Sequence, residues 1–285
     1  MPLPFSQVDV FSGTSTSGNP VAVVHDADGI TDEQMAAFAR WTNLSETTFL
    51  LAPADPAADY RLRIWTPGGE LPFAGHPTLG SAHAWLEAGG TPAGEAVVQE
   101  CGAGLVRVRP VTLPDGGSRL AFAAPPLVRS GPLEPDVLER ATRVLRLDTA
   151  DVLDAAWVDN GPGWLGLRLR DAAAVLALEP DLAAFGDLKI GVVGEHPAAD
   201  RERLGADVEV RAFVPALGVS EDPVTGSLNA SLGQWLAGGV LPERYVAAQG
   251  TVLGRRGRVH VERDAEGTVW VAGGTVTTIR GEVTL

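Results

Sequence analysis

Three side chains stand where acid–base chemistry is feasible: Glu46, His76 and Asp222. His76-Pro-x-x-Gly-Ser and Asp222-Pro-x-x-Gly-Ser repeat one pattern, and each runs on through small and apolar residues to a Trp-Leu pair and a glycine stop. That composition predicts two helices buried on all sides, the second about one turn longer. In the stretch Glu221 to Gly239, Asp222 reads as the acidic cap and Pro223 as the first helical residue. The first turn of such a helix has unpaired backbone N–H groups, so Gly226 and Ser227 leave room for an anion. The helix dipole favours an ionised Asp222. Glu46 enters the apolar run Thr-Thr-Phe-Leu-Leu. It is either a surface glutamate at a strand end or a partly buried one, and burial would let it both take and deliver a proton near neutral pH. A carboxylate so placed, with a second kept ionised, is a workable acid–base pair.

Other chemistries fare less well. Ser227, His76 and Asp222 are the residue types of a serine hydrolase, but no Gly-x-Ser-x-Gly elbow exposes a serine. Gly161-Pro-Gly-Trp-Leu-Gly166 matches the dinucleotide fingerprint formally, yet Leu-Arg-Leu-Arg follows as a strand where a helix is required. The phosphate-loop pattern does not occur, which leaves no nucleotide cofactor indicated. Of the five histidines only His76 and His83 are close in sequence, and a spacing of seven without nearby cysteines or paired carboxylates is poor geometry for a metal centre. Lys189 is the only lysine and Cys101 the only cysteine, so lysine chemistry has almost no candidate and an internal disulfide is excluded. A net charge of -14 argues against nucleic acid and anionic membrane as partners. The start of the chain has neither a basic region nor a long apolar run, so cytoplasm is the expected compartment.

The positioning elements follow from periodicity. Strands are expected near 8–11, 21–24 and 60–65, with Glu46 at the entry of another; Thr31-Asp-Glu-Gln34 is a capping box for a helix through Trp41. Ala124-Pro-Pro is the best linker, and similar elements restart beyond it: a helix over Pro135 to Leu145 matching Asp32 to Trp41, and strands near 152–158, 164–169, 188–193 and 207–214. Gly104-Leu-Val-Arg-Val is echoed by Gly257-Arg-Val-His-Val. An internal duplication is therefore expected, with halves 1–123 and 124–285. The last strand, about 275–285, is a candidate to join the first half.

Gly18-Asn-Pro-Val-Ala-Val, Asn43-Leu-Ser-Glu-Thr-Thr-Phe, Pro72-Phe-Ala-Gly-His-Pro-Thr-Leu-Gly, Glu221-Asp-Pro-Val-Thr-Gly-Ser and Gln249-Gly occur in an order that closely resembles the PhzF family, the phenazine-biosynthesis isomerase-like proteins. The resemblance spans nearly the whole chain. It implies an α+β, diaminopimelate epimerase-like fold: two pseudo-symmetric domains, each a curved, mostly antiparallel sheet around a central helix, with the active site between them. It also implies a cofactor-independent isomerase, often a homodimer, in which Glu46 moves a proton. By the same resemblance Asp222, His76 and Ser227 assist, and Asn19, Gly75 and Gly226 face the substrate. Related racemases use two facing cysteines, which this chain lacks.

The expected activity is proton transfer on a small carboxylate-bearing metabolite, without metal or cofactor, the carboxylate held at Gly75-His76 and Gly226-Ser227. A catalytically silent anion-binding or sensor protein on the same fold is the alternative, and a serine hydrolase the third.

Overall fold

Helix α2 (Gly75–Glu87) organises the first half of the molecule. In the computed structural model, which describes residues 2–112 and 117–285, its residues from Gly75 to Ala82 are all buried. The chain divides into two units, Met1–Ala123 with Ala272–Leu285, and Ala124–Val271.

In the first unit, β1 (Leu3–Val10), β2 (Asn19–Val24), β3 (Glu46–Leu51), β4 (Tyr60–Thr66), β5 (Gly69–Leu71), β6 (Val97–Cys101), β7 (Gly104–Thr112) and β8 (Ser118–Ala123) are joined by the closing strand Thr275–Val283. Helix α2 touches the closing strand and β1, β2, β3, β4, β6, β7 and β8, so the sheet wraps it. That explains the burial of its first eight residues; water reaches only the last turns, from the partly buried His83 to the exposed Glu87. Gly80 permits the close approach, because a Cβ there would lie 2.4 Å from Val21 Cγ1 and 3.0 Å from Val10 Cγ2. Both neighbours are β-branched and stiff. Gly80→Ala should therefore destabilise the protein by about 1–2 kcal/mol, overpacking outweighing the better helix propensity of alanine. Urea denaturation checks this, and an unchanged midpoint would show that Val21 can turn aside.

Helix α1 (Asp32–Thr42) carries the expected capping box, Thr31 N–H donating to Gln34 Oε1 and Gln34 N–H to Thr31 Oγ1. It ends at Asn43, whose left-handed backbone (φ 52) reverses the chain so that Glu46 opens β3.

The second unit contains β9 (Arg129–Pro132), α3 (Pro135–Leu145), β10 (Val152–Asp159), β11 (Trp164–Leu169), α4 (Ala172–Leu176), β12 (Lys189–Glu195), α5 (Ala198–Leu204), β13 (Val208–Val214), β14 (Val219–Asp222), α6 (Gly226–Leu236), β15 (Arg244–Gln249) and β16 (Gly257–Arg263), followed by β17 (Val269–Gly273). Its pairings repeat those of the first unit in order. There the closing strand, β1 and β2 are antiparallel neighbours, β2–β3 is parallel, β3–β4–β5 antiparallel, β4–β6 parallel and β6–β7 antiparallel. Here β9–β10–β11 are antiparallel, β11–β12 parallel, β12–β13–β14 antiparallel, β13–β15 parallel and β15–β16 antiparallel. Each half is thus a mostly antiparallel sheet with a long buried helix inserted at the same point, α2 or α6.

The details of the repeat differ from expectation in four places. Asp222 is not a helix cap and Pro223 is not the first helical residue: Asp222 ends β14, opposite Ala212, and α6 begins at Gly226 with Thr225 as its N-cap. The N-cap position falls three residues beyond Asp222, after the strand has ended. The second helix is also the shorter, 11 residues against 13. Counting back from the two helix starts, Leu71-Pro-Phe-Ala-Gly-His76 matches Asp222-Pro-Val-Thr-Gly-Ser227, so His76 corresponds to Ser227 and not to Asp222. Finally, α3 spans the expected residues but lies between β9 and β10, whereas α1 bridges the parallel pair β2–β3; the counterpart of α1 is the short α4.

Candidate active site

In the first unit, three of the expected site residues come together. Asn19 opens β2, Glu46 opens β3 alongside it, and His76 sits in the first turn of α2. Asn19 Nδ2 lies 3.4 Å from His76 Nδ1, and His76 Nε2 lies 3.3 Å from Glu46 Oε2. An amide nitrogen can only donate, so Nδ1 accepts and the ring proton resides on Nε2, facing Glu46. That Nε2–H is buried without an aligned hydrogen-bond acceptor. Asn19, expected on the substrate side, is fully buried and donates to the ring of His76. Glu46 keeps 14% of its side chain exposed, so it is partly buried yet reachable.

Burial pushes the His76 imidazole down from its ordinary 6.5 to about 3, so it is neutral at pH 7. The cause is desolvation, His76 being only 3% exposed. His25, His83 and His196 are also lowered by burial. On unfolding each returns to 6.5, so stability is full above pH 6.5 and is lost as pH falls from there toward the folded values. Glu209, raised by burial to about 7, has the opposite sign: its contribution is present below its unfolded value and lost as pH rises through 7. With four histidines against one glutamate, unfolding free energy should fall between pH 6.5 and 5. His76→Gln should flatten that slope by up to about 1.4 kcal/mol per pH unit, one proton's worth. An unchanged slope in urea titrations across that range would mean that His76 is protonated in the native state.

Helices α2 and α6 both lack a side-chain N-cap hydrogen bond, so the N–H groups of Gly75-His76 and Gly226-Ser227 are not claimed by a capping side chain. In the second unit, Ser227 Oγ receives a hydrogen bond from Trp164 Nε1 at 3.1 Å, and Ser227 O receives one from Asn160 Nδ2 at 3.0 Å. An indole N–H only donates, so the Ser227 hydroxyl keeps its own proton for another acceptor. The serine is thereby set as a donor, and within its unit no base is bonded to it, unlike the nucleophile of a hydrolase. Asp222 Oδ2 accepts from Thr225 Oγ1 at 2.5 Å. Trp164 and Asn160 carry no sequence signal that separates them from ordinary core and turn residues. Gly161 and Gly163, in the formal dinucleotide match, form the turn between β10 and β11 and donate to Asp159 Oδ1.

Among the described residues no group of three His, Cys, Asp or Glu side chains could hold a metal ion, and no helix is long and apolar enough to cross a membrane. Cys101 ends β6, its thiol donating to Gly104 O at 3.5 Å.

The model of a family described as phenazine biosynthesis-like protein (PhzC-PhzF) matches residues 8–281. The chain is 36% identical to antisense-enhancing sequence 1 of Schizosaccharomyces pombe, covering 98% of this chain and 97% of that one. It is 33% identical to trans-2,3-dihydro-3-hydroxyanthranilate isomerase of Pseudomonas chlororaphis, covering 98% of each. The crystal structure of a PhzF-family protein of Bacillus anthracis superposes with a TM-score of 0.84 over 100% of both chains at 23% identity. The fold is the diaminopimelate epimerase-like α+β fold.

Proposed function

The chain belongs to the phenazine biosynthesis-like (PhzC-PhzF) family and is an isomerase; from that premise we propose that it moves a proton on a small carboxylate-bearing metabolite, with Glu46 as general acid and base and without metal or cofactor. The observation that carries the reading is the trio of the first unit: a partly buried Glu46 within 3.3 Å of Nε2 of a neutral His76, with Asn19 Nδ2 3.4 Å from the other ring nitrogen. Glu46 takes a proton from one carbon, the pair of that C–H bond forms a new double bond to the neighbouring carbon, and the pair of the old double bond takes the proton back from Glu46 at the far carbon. Nothing is oxidised or reduced. His76 offers its Nε2–H to a substrate oxygen and, being neutral, polarises it without protonating it. From the family resemblance alone, Asp222 and Ser227 are further assisting groups and Gly75 and Gly226 substrate-side groups in this proposal.

The test is proton NMR with trans-2,3-dihydro-3-hydroxyanthranilate in deuterated water, wild type beside Glu46→Gln. Deuterium entering a ring carbon with wild type alone supports both the reaction class and the part played by Glu46. Exchange with both proteins removes Glu46 from the mechanism, and exchange with neither rejects this substrate.

A further inference from the structure

Gln249, the last residue of β15, is completely buried, and both ends of its amide are engaged. Oε1 accepts from Thr225 N at 3.0 Å and from Asn229 Nδ2 at 2.8 Å. Nε2 donates to Asp222 O at 3.2 Å and to Thr225 Oγ1 at 2.9 Å. Exchanging the amide oxygen and nitrogen would set N–H against the N–H groups of Thr225 and Asn229, so the orientation is determined. Its consequence is directional. Thr225 Oγ1 lies between a donor, Gln249 Nε2, and an acceptor, Asp222 Oδ2, and a hydroxyl has a single proton to give. That proton must go to Asp222.

We infer that Gln249 and Thr225 are positioning residues: a buried relay, Gln249 N–H to Thr225 O–H to Asp222 Oδ2, that fixes the rotation of the Asp222 carboxylate and holds Oδ2 as an acceptor. The inference deepens the reading above, on which it rests for the part played by Asp222 in the reaction. Neither residue is asked to touch substrate. Charge-assisted hydrogen bonds of this kind are short and strong, and the bond from Thr225 to Asp222 has that length. The same four bonds of Gln249 tie the end of β15 to the turn before α6, so a structural role exists as well, and the test has to separate the two.

Thr225→Val keeps the shape and removes the proton; Thr225→Ser keeps the proton. With the substrate of the NMR assay, Thr225→Val should lower kcat by about 10- to 100-fold with KM changed less than about 3-fold, and Thr225→Ser should restore kcat to within about 3-fold of wild type. Gln249→Met should reproduce the loss and add nothing in the Thr225→Val background. Thr225→Val should likewise add nothing to Asp222→Asn. A serine variant no better than valine, or losses that simply add, would overturn the relay. A readout free of substrate guards against a wrong assignment of the reaction: in protein labelled with carbon-13 at aspartate carboxyls, the Asp222 resonance, identified by its absence in Asp222→Asn, should move in Thr225→Val and return in Thr225→Ser. If wild type does not turn over this substrate while the resonance behaves so, the substrate is rejected and the relay stands. An unmoved resonance removes the relay whatever the substrate.

Discussion

Glu46→Gln should lower kcat by about a thousand-fold, the scale of a lost general acid–base group, while substrate affinity stays within about 3-fold of wild type. Glutamine has the shape of glutamate, so β3 and the contact with His76 persist, but an amide cannot accept a proton from carbon. The change should leave stability near that of wild type, because it removes a carboxylate from beside a buried imidazole that is neutral at pH 7 and has no charge to balance it. Separate measurement of kcat and of the dissociation constant decides the matter. A variant that retains more than about a tenth of the wild-type kcat would mean that another group carries the proton.

Arg211→Met should destabilise the second unit by about 3–5 kcal/mol, the cost of stranding one member of a buried ion pair. Arg211 is 4% exposed at the middle of β13. It holds Glu221 with two bonds, 2.9 and 2.8 Å, and donates to the carbonyls of Val175 and Leu178 at the end of α4. Methionine fills much of the same volume but leaves Glu221, itself nearly buried, without its cation and both carbonyls without their donor. Because Glu221 precedes Asp222 on β14, the damage should also reach kcat. Arg211→Met with Glu221→Leu should recover part of the loss, since the stranded charge is then gone. Urea denaturation of the two variants checks both statements; a loss below about 1 kcal/mol for Arg211→Met would mean that water reaches Glu221.

Much of the architecture was legible residue by residue. The capping box at Thr31 and Gln34, the strand entry at Glu46 and the strand starts at Gly104 and Gly257 lie where local turn and cap chemistry puts them, since each depends on neighbours a few residues away. The duplication was legible for the same reason. Its register was not. His76-Pro and Asp222-Pro look alike, and so do the Gly-Ser pairs that follow, but only the ladder that places Asp222 opposite Ala212 reveals that its backbone belongs to a strand. The matched positions are then His76 and Ser227, both in the first turn of a buried helix.

Three donor nitrogens set the direction of the protons: Asn19 Nδ2 for His76, Trp164 Nε1 for Ser227 and Gln249 Nε2 for Thr225 and, through it, Asp222. They lie 57, 63 and 24 residues from the groups they orient. Composition and local periodicity determined the residue types available for chemistry, the buried helices and the order of strands, because those follow from side-chain polarity and short-range backbone preference. The identity of the donor facing each acceptor was decided by the tertiary structure alone, because a hydrogen bond's direction depends on which atoms strand pairing brings within about 3 Å, and no spacing along the chain encodes that.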